Sequence, residues 1–139
     1  MTNNELRALA ESSRKGDIAE MEQIIASASG KLDFHDYELN SVVSQLIRSQ
    51  HYWVLDKFIG RGLISTDLYD YDRFSTTVIN TLLKPQITAE DQFEAYLIWL
   101  TSYLEQIDDI NEEVGGITLF EYALQENANI SLLKAIVSA

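Results

Sequence analysis

The sequence of 139 residues contains no cysteine, one proline and two histidines. The absence of cysteine excludes disulfides, thiolate metal sites and cysteine nucleophiles, and it is typical of proteins from a reducing compartment. No apolar run approaches the roughly 18 residues that a membrane span needs. The polar start, Met-Thr-Asn-Asn-Glu, does not resemble a signal peptide. We therefore expect a cytoplasmic protein.

Positive charge is also scarce. Ten Lys and Arg residues stand against 22 Asp and Glu residues, which gives a net charge of −12. Such a charge repels phosphate backbones and anionic lipid surfaces, so we expect no nucleic acid and no membrane as a partner. Two interpretations stay open: the acidic residues keep the protein soluble, or they bind a basic protein partner.

The known motifs of catalysis and of metal or cofactor binding are lacking. His35 and His51 lie in different predicted units, at no spacing typical of a zinc site. No Gly-rich phosphate loop, nucleophile elbow or kinase signature occurs. The run 67–72 hints at a calcium loop, but it lacks the loop glycine and has Val78 at the closing position, which needs glutamate. We predict no enzyme, no metal site and no cofactor, while an acid–base enzyme built on paired carboxylates stays as an alternative.

What the sequence does contain is apolar residues at helical spacing, most clearly in its last quarter. Thr118 and Glu121 form a capping box, which predicts the start of a helix. The apolar face of this helix comprises Leu119, Phe120, Ala123 and Leu124. After a polar break at 127–129, a second face comprises Ile130, Leu133, Ile136 and Val137. Neither short helix can bury its apolar face alone, so the unit is expected to stack on neighbours of its kind.

The rest of the chain repeats this unit imperfectly. The dipeptide Gly16-Asp17 predicts a turn between two helices, and Gln50-His51 takes the same place 34 residues later. Asp17 caps a second helix that Gly30 can end. The inner stripes predicted for the second and fourth helices are Ile18, Met21, Ile24 and Ile25, then Leu55, Phe58 and Ile59.

Four such units account for the whole chain. Pro85 stops a fifth helix, and the sixth, which follows Thr88, is the longest and most aromatic. The sequence therefore predicts a single all-α domain over residues 1–139, with eight helices in four stacked hairpins. An irregular α-solenoid or a four-hairpin bundle is the alternative architecture.

Residues 116–123 carry the most specific repeat motif. They read Gly-Ile-Thr-Leu-Phe-Glu-Tyr-Ala, which resembles the Gly-x-Thr-Pro-Leu-His-x-Ala of the ankyrin repeat, with Leu in place of Pro and Glu in place of His. The resemblance implies an ankyrin-like α-solenoid that binds partner proteins along one edge. A small, acidic, cytoplasmic chain of this kind also resembles bacterial immunity proteins that neutralise nuclease toxins.

The acidic residues are concentrated in three connectors between hairpins. Residues 33–38, 67–72 and 105–113 contain half of all acidic residues. Stacking is expected to place these connectors along one edge as an anionic ridge, with interleaved tyrosines as interface anchors. The predicted partner-binding residues are Asp33, Asp36, Tyr37, Asp67, Tyr69, Asp70, Tyr71, Asp72, Asp108, Asp109, Glu112 and Glu113. The alternative is that the connectors are ordinary solvated loops, with Phe34 and one of the tyrosines turned into the core.

Among function classes, these features favour a binding protein. We expect a non-enzymatic module, an acidic immunity or inhibitor protein that occludes a basic partner such as a nuclease toxin. The alternative is an ankyrin-like scaffold or adaptor for protein assembly.

The last helix predicts a second contact surface. We expect Leu132 to face outward and to leave an apolar strip through which a homodimer forms. The alternative is that the preceding hairpin and the chain terminus cover both faces of this helix.

Overall fold

The computed structural model describes residues 1–28 and 33–139. These ranges hold eight α-helices: α1 (Asn3–Lys15), α2 (Ile18–Ser27), α3 (Tyr37–Arg48), α4 (Tyr52–Gly60), α5 (Val78–Leu83), α6 (Glu90–Gln106), α7 (Leu119–Gln125) and α8 (Ile130–Ser138). One short 3-10 helix covers Leu68–Tyr71, and Val114 pairs with Ile117 in an isolated β-bridge. The predicted all-α fold with eight helices is confirmed. Every helix in the described ranges is too short or too polar to cross a membrane.

The first of two compact units comprises Met1–Ile64. In this unit α1 packs against α2 and α3, and α3 packs against α4. The turn between α1 and α2 has the predicted chemistry, since Gly16 is left-handed with a φ of 72° and the carboxylate of Asp17 accepts from the N–H of Glu20 at 3.1 Å. The predicted end of α2 at Gly30 lies outside the described residues.

Two polar contacts hold the helices of this unit together at their ends. The guanidinium of Arg61, just after α4, donates to the carbonyls of Ile25 and Ala28 at the end of α2. The carbonyl of Ile25 also accepts from the N–H of Ala28 at 3.4 Å, so Arg61 adds a second donor there and supplies one to the carbonyl of Ala28, past the end of the helix. The hydroxyl of Ser13 and Nδ1 of His51 lie 2.7 Å apart, and burial lowers the pKa of His51. His51 therefore packs the turn between α3 and α4 against α1.

The second unit, Ser65–Ala139, contains α5 to α8. Here α8 packs against α6 and α7. Two phenols hold α5 in place, because Tyr96 donates to the carbonyl of Leu82, and Tyr122 donates to Oδ1 of Asn80 at 2.7 Å. Tyr96 is fully buried. The stacking of all four hairpins into one ankyrin-like solenoid stays a prediction.

The last helix is rotated relative to its prediction. Leu132, expected to face outward, is buried, as is Ile136 four residues later. Ile130 and Val137 are 67% and 68% exposed, and Leu133 is half-buried. The prediction for Leu132 was wrong because apolar residues occupy both faces of α8, so spacing alone does not distinguish the inner stripe from the outer one.

Met21 and Leu55 lie fully buried in the core of the first unit, as predicted. Replacing either with alanine is expected to lower the free energy of unfolding by about 2 to 5 kcal/mol, because a cavity is left behind. Ile18 was placed on the same stripe but is 42% exposed. Ile18→Ala is therefore a control with an expected loss below about 1 kcal/mol. Urea denaturation followed by circular dichroism measures all three, and equal losses would contradict this packing.

Candidate functional site

Two of the three acidic connectors lie side by side in the second unit. The connector 67–72 contains the 3-10 helix, and the connector 105–113 follows from the end of α6. The backbone N–H of Asp108 donates to the carbonyl of Thr66 at 3.0 Å. This bond fixes the second connector against the start of the first. The structure therefore brings these two predicted segments together.

A buried hydrogen-bond network beneath these connectors holds Ser65 in place. The N–H of Ser65 donates to the phenol oxygen of Tyr71 at 2.8 Å, and the hydroxyl of Tyr103 donates to the carbonyl of Ser65 at 2.6 Å. The two phenol oxygens are 3.1 Å apart, so a bond between them can close a ring. Burial raises the pKa of Tyr71 to about 12 and raises that of Tyr103 well above its ordinary value. Both phenols therefore remain protonated and keep their donors at neutral pH.

The side chain of Ser65 extends this network to the acidic residues. Its hydroxyl donates to Oδ2 of Asp70 at 2.7 Å and accepts from the N–H of Asp67 at 3.0 Å. The carboxylate of Asp67 in turn accepts from the N–H of Tyr69 at 3.1 Å and caps the 3-10 helix. The carboxylates of this connector are thus presented by an ordered turn.

Tyr71 is among the predicted partner-binding residues, and the structure contradicts that role. Its side chain is fully buried, whereas Tyr69 is 72% exposed. A 3-10 helix has three residues per turn, so side chains two positions apart point in different directions. Tyr71 supports the connector from below, and Tyr69 is the aromatic side chain that a partner could contact.

Five carboxylates crowd together on the two joined connectors. Burial raises the pKa of Glu112, and the carboxylates that raise it further are Asp67, Asp109, Asp108 and Asp70. Like charges act in this way only when they are near one another. We call this group, Asp67, Asp70, Asp108, Asp109 and Glu112, the acidic surface.

Asp72 and Glu113 lie at the edge of the acidic surface, and both are exposed. A Cβ atom added at Gly115 would lie 3.9 Å from the carbonyl oxygen of Asp72, so the turn after Glu113 lies near the end of the first connector. Asp72 has a φ of 67° and a ψ of −37°, a positive-φ conformation outside the left-handed helical region, and it ends the 3-10 helix. Both residues therefore lie next to members of the acidic surface along the chain.

Negative charge is concentrated in the unit that carries the acidic surface. Ser65–Ala139 contains 13 acidic and three basic residues, for a net charge of −10. Met1–Ile64 contains nine acidic and seven basic residues, for a net charge of −2. The ion pairs among the described residues use Glu11, Glu38 and Glu126. None of these pairs neutralises the acidic surface.

The third acidic connector, 33–38, belongs to the first unit, and its carboxylates have contacts within that unit, where Glu38 pairs with Arg7 at 2.8 Å. Asp33 accepts from a backbone N–H two residues later at 2.8 Å, and Asp36 caps the start of α3. Tyr37 is 81% exposed. That this connector continues the acidic surface as one ridge stays a prediction.

The acidic surface offers carboxylate oxygens as hydrogen-bond acceptors. Within 1–28 and 33–139, no three His, Asp or Glu side chains are grouped so that they could hold a metal ion. Asp70, Asp108 and Asp109 are exposed. Such carboxylates accept charge-assisted hydrogen bonds from lysine and arginine side chains.

Sequence reasoning missed the residues that support the acidic surface, which are Ser65, Thr66 and Tyr103. Tyr103 belongs to the aromatic sixth helix, α6, and it is buried. The signal that could have revealed more is its hydroxyl, because a buried tyrosine needs a polar partner. Thr66 contributes through its backbone carbonyl, and Ser65 contributes through its backbone groups as well as its hydroxyl. Any residue type carries the backbone groups, so the sequence gives no sign of that part of their role.

Glu112→Gln is expected to stabilise the protein at neutral pH. A carboxyl pKa raised in the folded state means that the native protein binds this proton more readily than the unfolded chain does. Stability therefore falls as pH rises through the window between the unfolded and folded pKa values, and the loss is complete above it. Glutamine removes the charge responsible, so the variant should melt at a higher temperature at about pH 7 and lose this advantage below about pH 4.

Glu113→Gln, at the edge of the acidic surface, is the control for net charge in these melts. A melting temperature at neutral pH that is lower for Glu112→Gln than for Glu113→Gln would contradict the crowding of carboxylates around Glu112.

The ankyrin-like motif at 116–123 has a simple local structure. Gly115 and Gly116 have φ values of 62° and 86° and form a tight turn, which the bridge between Val114 and Ile117 closes. Thr118 then starts α7 with the predicted capping box.

No protein-family model matches this chain, and no curated protein or solved structure is significantly similar to it.

Proposed function

We propose that this chain is a non-enzymatic protein-binding module that binds and occludes a basic protein partner. The observation that supports this function is the acidic surface, with five carboxylates on ordered turns beside the exposed ring of Tyr69. Holding like charges close together destabilises a folded protein. A function that uses the charges accounts for their retention, because a cationic partner would neutralise them.

The acidic surface would act first at a distance and then in contact. Its field accelerates the approach of a basic protein within about a Debye length, which is ~8 Å at physiological ionic strength. In contact, its carboxylates accept hydrogen bonds from lysine and arginine, while Tyr69 buries its ring and keeps a polar contact through its hydroxyl. The Ser65 network orders these turns before binding, so little conformational entropy is lost when the partner docks.

A nuclease toxin is the partner class that fits best. An enzyme that binds nucleic acid exposes a basic cleft, and an acidic surface can fill such a cleft and exclude the substrate. The small size and the acidic charge of the chain agree with an immunity or inhibitor protein of the cytoplasm. An adaptor is the second candidate, and it is favoured by exposed Tyr37 in the first unit, since a separate aromatic contact would allow two partners to be held at once.

Affinity capture by the whole chain from its native host tests this proposal. We expect a basic protein with a pI above about 9 to be retained at low salt and released at high salt. The immunity version further predicts that this protein is encoded next to the chain and is toxic when produced alone. Recovery of a salt-resistant assembly of acidic or neutral proteins would contradict the inhibitor function and favour the adaptor.

A further inference from the structure

An apolar groove lies between α7 and α8 on the surface of the second unit. Its volume is about 400 Å³, and it is lined by Phe120, Ile130, Leu133, Lys134, Val137 and Ser138. Leu124, which is 49% exposed, lies four residues after Phe120 and continues the apolar face along α7. Surfaces of this kind, formed by large apolar side chains on two helices, often mark sites where another protein docks.

The spacing of the exposed apolar residues suits a helix as the occupant. Ile130, Leu133 and Val137 stand at positions i, i+3 and i+7 of α8, which is the pattern of a face that packs against another helix. An amphipathic helix laid in such a groove places its own apolar side chains there and leaves its polar face in solvent. The lining residues alone do not decide between a second copy of this chain and a different protein.

Charge decides between these two occupants. The groove belongs to the unit of net charge −10, so a second copy would bring another charge of −10 against it. A helix whose polar face carries lysine and arginine would instead be attracted. Lys134, a cation in the lining, repels such a helix locally. The repulsion is reduced because Lys134 is exposed and its long side chain can keep the ammonium group in water while its methylenes cover apolar surface.

We propose that the groove between α7 and α8 binds the apolar face of a basic amphipathic helix from a partner protein. The inference rests on the proposed function in one respect, the positive charge of the partner. It adds a contact that the acidic surface cannot make, since the groove selects for an apolar face and the acidic surface selects for cations.

A labelled helical peptide of about 18 residues, with leucine on one face and lysine on the other, is the probe, since shorter helices are marginal in water. Fluorescence anisotropy with the whole chain measures its binding. A peptide of the same composition in scrambled order lacks the apolar face, and a leucine–glutamate peptide of the same pattern lacks the positive charge. We expect both to bind at least about tenfold more weakly than the leucine–lysine peptide.

The matched protein variants are Ile130→Gln combined with Val137→Gln, against Ile98→Gln. Ile98 is 74% exposed on α6 and does not line the groove, so its replacement controls for a general loss of surface hydrophobicity. We expect the double variant to weaken peptide binding at least about tenfold and Ile98→Gln to leave it unchanged. All three side chains are exposed, so the variants should fold as the original chain does.

Three results would overturn this inference. Unchanged peptide binding by the double variant would place the site elsewhere, and equal binding of the leucine–glutamate peptide would remove the role of charge. Sedimentation equilibrium showing a dimer that the double variant dissociates would assign the groove to a second copy. Each outcome is distinct from failure of the proposed function, which is measured with substitutions in the acidic surface and leaves the groove intact.

Discussion

Tyr103→Ala is expected to lower the free energy of unfolding by about 3 to 5 kcal/mol, the usual range for removing a buried large aromatic side chain. The ring is buried and stacks on Trp99 with centroids 5.9 Å apart and an interplanar angle of 5°. Its hydroxyl also donates to the carbonyl of Ser65. The substitution therefore removes packing from α6 and a hydrogen bond from the support of the acidic surface. Urea denaturation at constant ionic strength measures the loss.

Two control variants separate the ring from the hydroxyl and from the surface. Tyr103→Phe keeps the stacking and removes one buried hydrogen bond, so we expect a loss of about 1 to 2 kcal/mol. Tyr69→Ala should change stability by less than about 0.5 kcal/mol but speed dissociation of a partner, at a cost of about 1 to 4 kcal/mol in binding. If Tyr103→Ala proves as stable as Tyr69→Ala, the buried network does not support the connectors.

Neutralising two carboxylates of the acidic surface and one beside it is expected to slow association with a basic partner about tenfold to a hundredfold at low salt. The variant combines Asp72→Asn, Asp109→Asn and Glu112→Gln. Because exposed charges steer the encounter and salt screens them, the association rate should also become less sensitive to ionic strength. Stopped-flow or surface-binding kinetics with the captured partner at several salt concentrations measure both effects. For a toxin partner, cells that produce the variant should lose protection while the variant stays folded and abundant.

A second triple variant in the same unit tests whether the position of the removed charges matters or only their number. Glu90→Gln, Asp91→Asn and Glu94→Gln change the net charge by the same amount on the exposed first turns of α6. We expect this control to slow association much less. Equal slowing by both variants would mean that net charge alone drives binding. If neither variant slows association, the partner binds another face and the acidic surface is ordinary solvated surface.

The helices could be predicted because local signals and apolar spacing agree along most of the chain. Asp17 and Thr118 cap α2 and α7 as their sequence context indicates. In α3 a single apolar stripe faces the core, and every member of it is buried. Where one face is apolar and the other polar, spacing alone places the core.

The site was harder to predict, because its geometry depends on contacts between segments distant in sequence. Tyr71 lies between acidic residues in the sequence and therefore resembles a surface residue. Its hydroxyl instead contacts the backbone of Ser65 and the side chain of Tyr103. Leu132 was misplaced for a different reason, since α8 offers apolar residues to both sides. The joining of the two connectors depends on a backbone bond between Asp108 and Thr66, which no side-chain pattern encodes.

The unequal charge of the two units has a consequence for how dissolved ions act on the protein. At about 0.01 M salt the Debye length grows to ~30 Å, so the charges of Ser65–Ala139 repel one another throughout that unit. Met1–Ile64 has nearly equal numbers of acidic and basic residues, so its stability should change little with salt concentration. Desalting should therefore quicken amide hydrogen exchange in α5 to α8 and leave α1 to α4 almost unchanged. The unit proposed to bind a cationic protein is then also the unit whose local opening such a protein would suppress.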